Sequence, residues 1–343
     1  MNEPIKNSYK YKEEYLRGLR ELIDRRRAEC DKARAEYISP EKVAADREKY
    51  RADFVGLLGW PLTDYEALKD APMTVKKELR HEDEHSRAYS MQFEVLPELW
   101  FYGIYLENKR DGGHPFVICQ HGGGGSPEYV AGFYGDSIYH GMAERALTHG
   151  GGANVFCPGL LIWDRAEEAG NPPFDRVEID NALKHTGGSI QSLEVFAIRR
   201  VLDYFMGEGV ATHGHIGMIG LSYGGLYTLV TTAVECRISA AYSSCHFNER
   251  HKYLWCDWTW KDASSRFLDA EIASLIAPRA LFLETGRTDH LFSPDSFERE
   301  ATRAAEFFAA AGAEGKINYR ITDCGHEFAS DNAGLDFIFS FIE

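Results

Sequence analysis

Two hydrophobic patterns follow one another along the chain. In the first part, apolar side chains recur every three or four residues, as at Tyr15, Leu19 and Leu22. This spacing places them on one face of an amphipathic helix. In the second part, short apolar runs alternate with helical stretches, a pattern typical of an α/β domain. The sequence therefore predicts a helical N-terminal extension over residues 1–75 and an α/β domain over residues 76–343.

The sequence of the extension predicts two helices. Residues 8–36 carry the apolar stripe of the first, and Ser39-Pro40-Glu41 supplies an N-cap and a first-turn proline for a second helix that ends at about Leu58. A stripe of this size must be covered, either by the catalytic domain or by a second copy of the chain. A homo-oligomer formed through the extension is one of these two expected outcomes.

The α/β part predicts a mostly parallel central sheet with helices on both faces. Period-two alternation over residues 89–95, followed by the apolar run 99–106, predicts an antiparallel strand pair. Later apolar runs alternate with helical stretches, which favours parallel strands. The predicted strands are 115–120, 153–158, 215–220, 238–243, 280–285 and 317–322, and the predicted helices are 128–149, 189–206, 223–234, 294–311 and 332–342.

Composition narrows the class of partner. The chain has 343 residues, 44% of them hydrophobic, and a formal net charge of −15. Nucleic acid and anionic membranes are therefore disfavoured as partners because their phosphates would be repelled. The seven cysteines form no CxxC pair, and neither an apolar leader nor a membrane-length apolar run occurs. We expect a soluble, cytoplasmic protein that acts on a small molecule.

Residues 81–85, HEDEH, match the zinc signature H-E-x-x-H. Zinc binding requires both histidines on one face of a helix at the floor of a cleft. Here the surrounding segment is charged on every face and leads directly into a strand pattern. We therefore interpret His81 and His85 as part of an exposed charged linker, and we expect no metal.

Residues 220–224, GLSYG, match G-x-S-x-G, the signature of a serine nucleophile on a sharp turn. The motif follows the apolar run HIGMI directly and precedes the helical stretch YGGLYTLVTTAV, which is the required strand–turn–helix context. Such a turn places Ser222 at a helix N-terminus, where the helix dipole stabilises developing negative charge. We predict that Ser222 is the nucleophile.

A serine nucleophile requires a base and a group that orients the base. Asp289 and His326 follow Ser222 in the expected chain order, each in a loop after a predicted strand. Glu284 and Asp323 are alternative acids, and we prefer Asp289 to both. The neighbour of Asp289, His290, is expected to point away.

The glycine-rich stretch QHGGGGSPEY, residues 120–129, follows a predicted strand and is a candidate oxyanion hole. Glycines allow the backbone to approach a reacting carbonyl, and we expect amides of Gly123 and Gly124 to act with that of Tyr223. His121 is expected to brace the loop. The spacing fits neither a dinucleotide nor a phosphate-loop motif, so no cofactor is expected.

Together these motifs resemble the α/β-hydrolase superfamily, and most closely its dienelactone-hydrolase-like and acetyl-xylan-esterase-like branch with helical N-terminal extensions. The resemblance covers residues 45–343 and is carried by QHGGGG, GLSYGGLYTLV, LETGRTDHLFSP and DCGHEF. It implies a catalytic triad of Ser222, Asp289 and His326 and the hydrolysis of an ester.

The chain departs from this branch at two places. Its nucleophile is serine, where dienelactone hydrolases have cysteine. Relatives often carry an Asp-Arg-Gly stretch after the fourth strand, whereas this chain reads CPGLLIWDR, with Asp164 and Arg165 at the corresponding place.

An aromatic insertion at about residues 245–270 contains Trp255, Trp258 and Trp260. In the resembling folds this segment lies above the nucleophile and helps to form the substrate pocket. Indole faces pack well on sugar rings and flat acyl groups, so these tryptophans are candidate pocket residues. The alternative is that they fasten the segment to the core or to a neighbouring subunit.

The sequence thus predicts a serine carboxylesterase that forms an acyl-enzyme and deacylates an acylated carbohydrate or a similar small ester. One alternative is the hydrolysis of a carbon–carbon bond in a diketone by the same triad. Another is a ligand-binding protein of this fold with little turnover. A peptidase is disfavoured because the sequence predicts no propeller-like β domain to restrict access.

Overall fold

The computed structural model describes residues 7–135, 137–162 and 174–343. Asp164 and Arg165 lie outside these residues. The helices in the described part are α1 (Asn7–Tyr37), α2 (Pro40–Ala45), α3 (Arg47–Leu58), α4 (Tyr65–Leu68), α5 (Pro127–Val130), α6 (Met142–Thr148), α7 (Arg176–His185), α8 (Ile190–Gly207), α9 (Tyr223–Val234), α10 (Asp269–Ser274), α11 (Pro294–Ala310) and α12 (Ala333–Phe339). The strands are β1 (Val75–Glu82), β2 (Ser86–Leu96), β3 (Leu99–Asn108), β4 (Phe116–Gln120), β5 (Asn154–Pro158), β6 (Ile216–Leu221), β7 (Ala240–Ser244), β8 (Ala280–Gly286) and β9 (Ile317–Thr322).

These strands form one sheet in the order β1-β2-β3-β5-β4-β6-β7-β8-β9. The pairs from β1 to β3, and β3 with β5, are antiparallel, whereas β5, β4 and β6 to β9 run parallel to one another. The carboxyl ends of the parallel strands therefore meet at one edge, where loops of this architecture bring functional groups together. The predicted mostly parallel sheet is confirmed.

Helices cover both faces of the sheet, as predicted. One buried cluster packs α8 to α11 against the sheet, and it also includes Tyr50, Phe54 and Leu58 from α3. A second cluster packs α6 and α12 against the opposite face. The division of the chain at residue 75 stays a prediction, and α3 shares its core with the sheet.

Several boundaries differ from the sequence prediction. The charged segment predicted as a linker forms β1, which pairs with β2 at the edge of the sheet, where charged side chains are common. The single helix predicted to end at Leu58 is interrupted at Asp46, whose side chain caps α3. The helix predicted over 128–149 is two short helices separated by turns, and α7 lies within a predicted loop.

The first helix, α1, has two different ends. Every residue from Ser8 to Arg26 is exposed. At the C-terminal end, Arg34 is buried, and its guanidinium donates to Glu271 Oε1 at 3.2 Å and to the Ser264 carbonyl at 2.5 Å. The C-terminal end of α1 is therefore held by buried contacts, whereas residues 8–26 are exposed in the described structure.

No helix in the described part of the chain is both long enough and apolar enough to cross a membrane. The predicted cytoplasmic location stays a prediction.

Candidate active site

Ser222 lies on the turn between β6 and α9, in the strand–turn–helix context that the motif requires. Its backbone has φ 61° and ψ −119°, a conformation that non-glycine residues adopt only under strain. The turn also needs its glycines. A Cβ at Gly220 would lie 2.1 Å from the Gly224 carbonyl oxygen, and one at Gly224 would lie 2.1 Å from that of Gln120.

The surroundings hold this strained turn in place. The Ser222 amide donates to the carbonyl of Ser244 on β7 at 2.9 Å, and the Ser222 carbonyl accepts from Leu226 in the first turn of α9 at 3.0 Å. Ser222 is 9% exposed. Its hydroxyl therefore lies at the N-terminus of a twelve-residue helix, which favours negative charge there.

The structure brings Asp289 and His326 together at the same edge of the sheet. His326 Nδ1 lies 2.8 Å from Asp289 Oδ2, and the other carboxylate oxygen accepts the amides of Leu291 at 2.7 Å and Phe292 at 3.0 Å. Burial raises the pKa of Asp289, but the hydrogen bond and charge of His326 and the two amides outweigh burial and lower it. Asp289 is thus held as an anion that orients the imidazole.

The two alternative acids have other partners. Glu284 is fully buried and accepts from Ser244 Oγ at 3.1 Å and from Arg320 Nη2 at 2.7 Å. Asp323 is exposed and accepts from Arg287 at 2.7 Å. Among the three acids, the described contacts pair Asp289 with His326.

Two further side chains lie against the acid–base pair and were not predicted to do so. The His290 ring contacts the edge of the His326 ring at a centroid distance of 5.7 Å, so the expectation that His290 points away is wrong. Cys245, at the end of β7, is buried, and burial raises the pKa of its thiol.

Cys245, Asp289 and His326 are the one set of three possible metal ligands that the described residues bring together, with ligand atoms within 4.8 Å of one another. A metal bound there would use two members of the acid–base pair. His81 lies on β1 and His85 lies in the turn before β2, and both are exposed. The helix face that H-E-x-x-H requires is therefore not formed by this segment.

The glycine-rich loop approaches the nucleophile through Gly122. A Cβ at Gly122 would lie 2.7 Å from the Leu221 carbonyl oxygen and 3.0 Å from Ser222 Cβ. The Gly122 amide donates to Tyr139 Oη at 2.8 Å, and the Gly125 amide donates to the Gly122 carbonyl at 3.2 Å. The predicted oxyanion donors, Gly123 and Gly124, lie between these two engaged amides.

His121 connects this loop to the neighbouring strand end. Its Nδ1 lies 3.0 Å from the Gly122 carbonyl oxygen, and its Nε2 accepts from the amide of Leu160 at 2.9 Å. An imidazole that accepts at Nε2 and donates at Nδ1 is neutral. His121 thus has bracing contacts of the kind that the sequence predicts.

A cavity of about 1440 Å³ opens beside the nucleophile turn. Its lining includes Tyr223, which follows Ser222, and the loop residue Gly125, but neither Ser222 nor His326. Aromatic rings form much of the wall; they belong to Trp100, Phe101, Tyr102, Phe174, Tyr223 and Trp255. The cavity therefore reaches the Ser222 turn through Tyr223 and the glycine-rich loop through Gly125.

The three tryptophans of the insertion occupy different environments. Trp255 is 40% exposed, lines the cavity and stacks on Tyr223. Trp258 is fully buried, and Trp260 packs on Phe54 of α3. Neither of these two lines the cavity, so their contacts match the alternative in which they fasten the insertion to the core.

A buried ionic cluster beside the cavity has no counterpart in the sequence prediction. Arg176 on α7 contacts Glu194 on α8, Asp257 in the insertion and Tyr227 on α9. Burial lowers the pKa of the guanidinium, but the charges and hydrogen bonds of Glu194, Tyr227 and Asp257 together outweigh burial and raise the pKa. The four residues are far apart in sequence and form no motif, and α7 itself was predicted as a loop.

No family model and no curated protein matches the chain. Solved structures do match. A Bacteroides fragilis protein assigned as an acetyl xylan esterase has a TM-score of 0.63 at 16% identity, over 83% of this chain and 76% of that chain. A glucuronoyl esterase from Solibacter usitatus has a TM-score of 0.61 at 13% identity, over 86% and 92%. Acetyl xylan esterase 1 from Thermoanaerobacterium sp. JW/SL YS485 has a TM-score of 0.57 at 13% identity, over 90% and 100%. At these identities the likeness shows the fold, and the chain has the α/β-hydrolase fold.

Proposed function

We propose that the protein is a serine hydrolase that cleaves a carboxylic ester through an acyl-enzyme. The observation that carries the proposal is the Asp289–His326 pair at 2.8 Å, at the same sheet edge as the strained Ser222 turn. Because Nδ1 of His326 faces Asp289, Nε2 is the nitrogen that remains for the serine proton. The structural neighbours include acetyl xylan esterases and a glucuronoyl esterase, which supports the same chemistry.

In this mechanism Ser222 Oγ attacks the ester carbonyl while His326 accepts its proton. Asp289 holds the imidazole in the productive tautomer and stabilises the imidazolium. The amides of Tyr223 and of Gly123 or Gly124 stabilise the tetrahedral oxyanion, assisted by the N-terminus of α9. His326 then protonates the leaving alcohol, and water releases the acyl group by the same steps in reverse.

We propose an acylated carbohydrate as the substrate class. The aromatic walls of the cavity, including Trp255, offer flat apolar faces of the kind that pack on sugar rings. A cavity of about 1440 Å³ is larger than a short acyl group needs. The acetyl xylan esterases and the glucuronoyl esterase among the structural neighbours support this class.

We further propose that α1 pairs with a second copy of the chain. Its exposed part carries seven large apolar side chains that the described residues leave exposed: Tyr9, Tyr11, Tyr15, Leu16, Leu19, Leu22 and Ile23. Tyr9, Leu16 and Ile23 are spaced by seven residues, the repeat of helices that pair with other helices. Helix α1 carries nine basic and seven acidic residues in a chain of net charge −15, so its positive charge is attracted to the acidic remainder of a second copy.

Product analysis tests the proposed reaction. The purified protein should release acetate and the free hydroxyl from a neutral acetylated oligosaccharide, and Ser222→Ala should lower kcat by at least 10³-fold. Ser330→Ala, at an exposed serine, is the matched control and should leave kcat unchanged. Activity on a diketone that yields a ketone and an acid, without activity on any ester, would contradict ester hydrolysis while retaining the triad.

A further inference from the structure

The carboxylate of Asp257 joins the aromatic insertion to the nucleophile turn. Asp257 lies in a short 3-10 helix, Cys256–Trp258, and is 5% exposed. Its Oδ1 accepts from the Tyr223 hydroxyl at 3.3 Å, and its Oδ2 accepts from Arg176 Nε at 2.7 Å. Tyr223 directly follows Ser222, and its backbone amide is a predicted oxyanion donor. A single buried carboxylate therefore contacts the residue that would stabilise the transition state.

Arg176 holds this carboxylate from the other side. Besides Asp257, its guanidinium donates to the Leu161 carbonyl at 2.6 Å, to Glu194 Oε1 at 3.1 Å and Oε2 at 2.9 Å, and to Tyr227 Oη at 2.8 Å. These contacts use all five N–H groups of an arginine. Arg176 is thus fully engaged in holding α8, α9 and the insertion together, which favours a structural role for it over substrate binding.

The neighbour of Asp257 extends the same connection to the acid–base pair. Trp258 is fully buried, with its ring 4.9 Å from that of Tyr223 and 6.0 Å from that of Phe292. Phe292 stacks on His326 at 5.7 Å, and its amide donates to Asp289. One short segment of the insertion therefore contacts both the nucleophile turn and the loop of the acid.

We propose that Asp257 is a positioning residue that fixes Tyr223, and through it the oxyanion amide. The catalytic part of this inference rests on the proposed esterase function. The insertion consists of short 3-10 helices, which have few backbone hydrogen bonds of their own. Its position next to Tyr223 therefore depends on side-chain contacts, and Asp257 supplies the hydrogen bond from the Tyr223 hydroxyl and the ion pair with Arg176.

The expected consequence is a loss in turnover with little change in substrate affinity. An oxyanion donor acts on charge that develops in the transition state, so its displacement lowers kcat more than it changes KM. Asp257→Asn keeps the shape but removes the charge that Arg176 contacts, and Tyr223→Phe removes only the hydroxyl. We expect kcat to fall about 10- to 100-fold in the first variant and about 10-fold in the second, with KM within about threefold.

The matched control is Asp262→Asn in the same insertion. Asp262 is exposed, and its carboxylate contacts Arg266 at 3.4 Å. This variant removes a carboxylate of the same insertion without touching Tyr223, so kcat and KM should equal those of the wild type. Each kcat is to be expressed per serine that reacts with a phosphonate ester, because a purely structural role would reduce the number of reactive serines and leave this ratio unchanged.

Hydrogen–deuterium exchange tests the positioning independently of esterase activity. In Asp257→Asn, peptides covering residues 220–226 and 254–260 should exchange at least about fivefold faster than in the wild type, and in Asp262→Asn they should not. Unchanged exchange in both peptides, or kcat per reactive serine within twofold of the wild type, would overturn the proposal. Faster exchange in a protein whose wild type hydrolyses no ester would retain Asp257 as the fastening residue and reject the proposed function instead.

Discussion

The carboxyl edge of the sheet and the first helix differ in how their side chains are satisfied. At the sheet edge, Asp289, Glu284 and Arg176 are held by several specific contacts each. Along α1, every residue from Ser8 to Arg26 is exposed, apolar side chains included. Among the described residues, the first region is held by contacts within the chain, whereas the second exposes apolar side chains that we propose a second copy covers. We therefore expect substitutions at the carboxyl edge of the sheet to affect turnover, and substitutions along α1 to affect assembly.

The largest effect on kcat is expected at Asp289, the proposed acid of the triad. Asp289→Asn should lower kcat by about 10³- to 10⁴-fold, because an amide can hold the wrong tautomer of His326. Glu284→Gln should instead lower the melting temperature, because it removes the buried negative charge that pairs with Arg320. The kcat per folded enzyme should fall less than tenfold in this variant. Steady-state kinetics with thermal unfolding distinguishes the two, and a greater loss of kcat in Glu284→Gln would make it the acid.

The next effect concerns assembly. Leu16→Glu combined with Ile23→Glu places charges in the apolar stripe, so a dimer through α1 should dissociate, measured as a halved mass by light scattering. Glu14→Gln combined with Glu21→Gln, on the opposite side of the same helix, should leave the mass unchanged. A wild type that is already monomeric at micromolar concentration would contradict the dimer.

Two deletions test the difference between the exposed part of α1 and the buried part of α3. Removing residues 1–26 should yield a folded monomer with unchanged kcat, because every residue from Ser8 to Arg26 is exposed. Removing residues 1–60 should give insoluble protein, because Tyr50, Phe54 and Leu58 belong to the main core. Soluble, active protein after the longer deletion would show that α3 is dispensable.

A smaller effect is expected from pH, at a buried acid on α11. Burial raises the pKa of Glu300 to about 7, partly opposed by Arg303, with Glu271 and Asp269 also nearby. The folded protein therefore keeps this proton up to about pH 7, whereas the unfolded chain loses it near 4.5. Stability should fall as pH rises from 4.5 to 7, by at most about 3 kcal/mol at 1.36 kcal/mol per pKa unit.

Glu300→Gln is the variant that isolates this contribution. It should flatten the dependence of the unfolding free energy on pH over that interval, measured by urea denaturation at several pH values. An equally steep fall in the variant would assign the dependence to other groups.

The smallest effect is expected at the accidental zinc motif. Replacing His81 and His85 with alanine should change kcat less than about twofold, and EDTA should have no effect, because both side chains are exposed on a hairpin. Chelator-sensitive activity that zinc restores, and that the double variant lacks, would reverse this interpretation.

The sequence predicts this fold well where local signals agree with one another. The turn at Ser222 combined an apolar run, flanking glycines and a helical stretch, and the strand and helix lie where predicted. Strand β1 was missed because an edge strand pairs through its backbone and can carry charged side chains throughout. Helix α7 was missed although it carries local signals, namely the Asp175 side chain that caps its first turn and the basic residues Lys184 and His185 in its last turn.

The candidate site shows the same limit. The contact between Asp289 and His326 agrees with their predicted chain order and loop positions, whereas the contacts of Glu284 with Arg320 could not be predicted from the sequence. Sequence spacing alone also could not show which of Trp255 and Trp258 lines the cavity and which fastens the insertion to the core. Their different exposure follows from the path of the insertion, which tertiary contacts determine.

The most direct test of the central claim is mass spectrometry of the enzyme quenched during turnover of a slowly hydrolysed ester. The account predicts one acyl group per chain, on the peptide that contains Ser222, and no such adduct in Ser222→Ala. Ester turnover without an adduct on Ser222, or turnover that persists in Ser222→Ala at the wild-type rate, would contradict it.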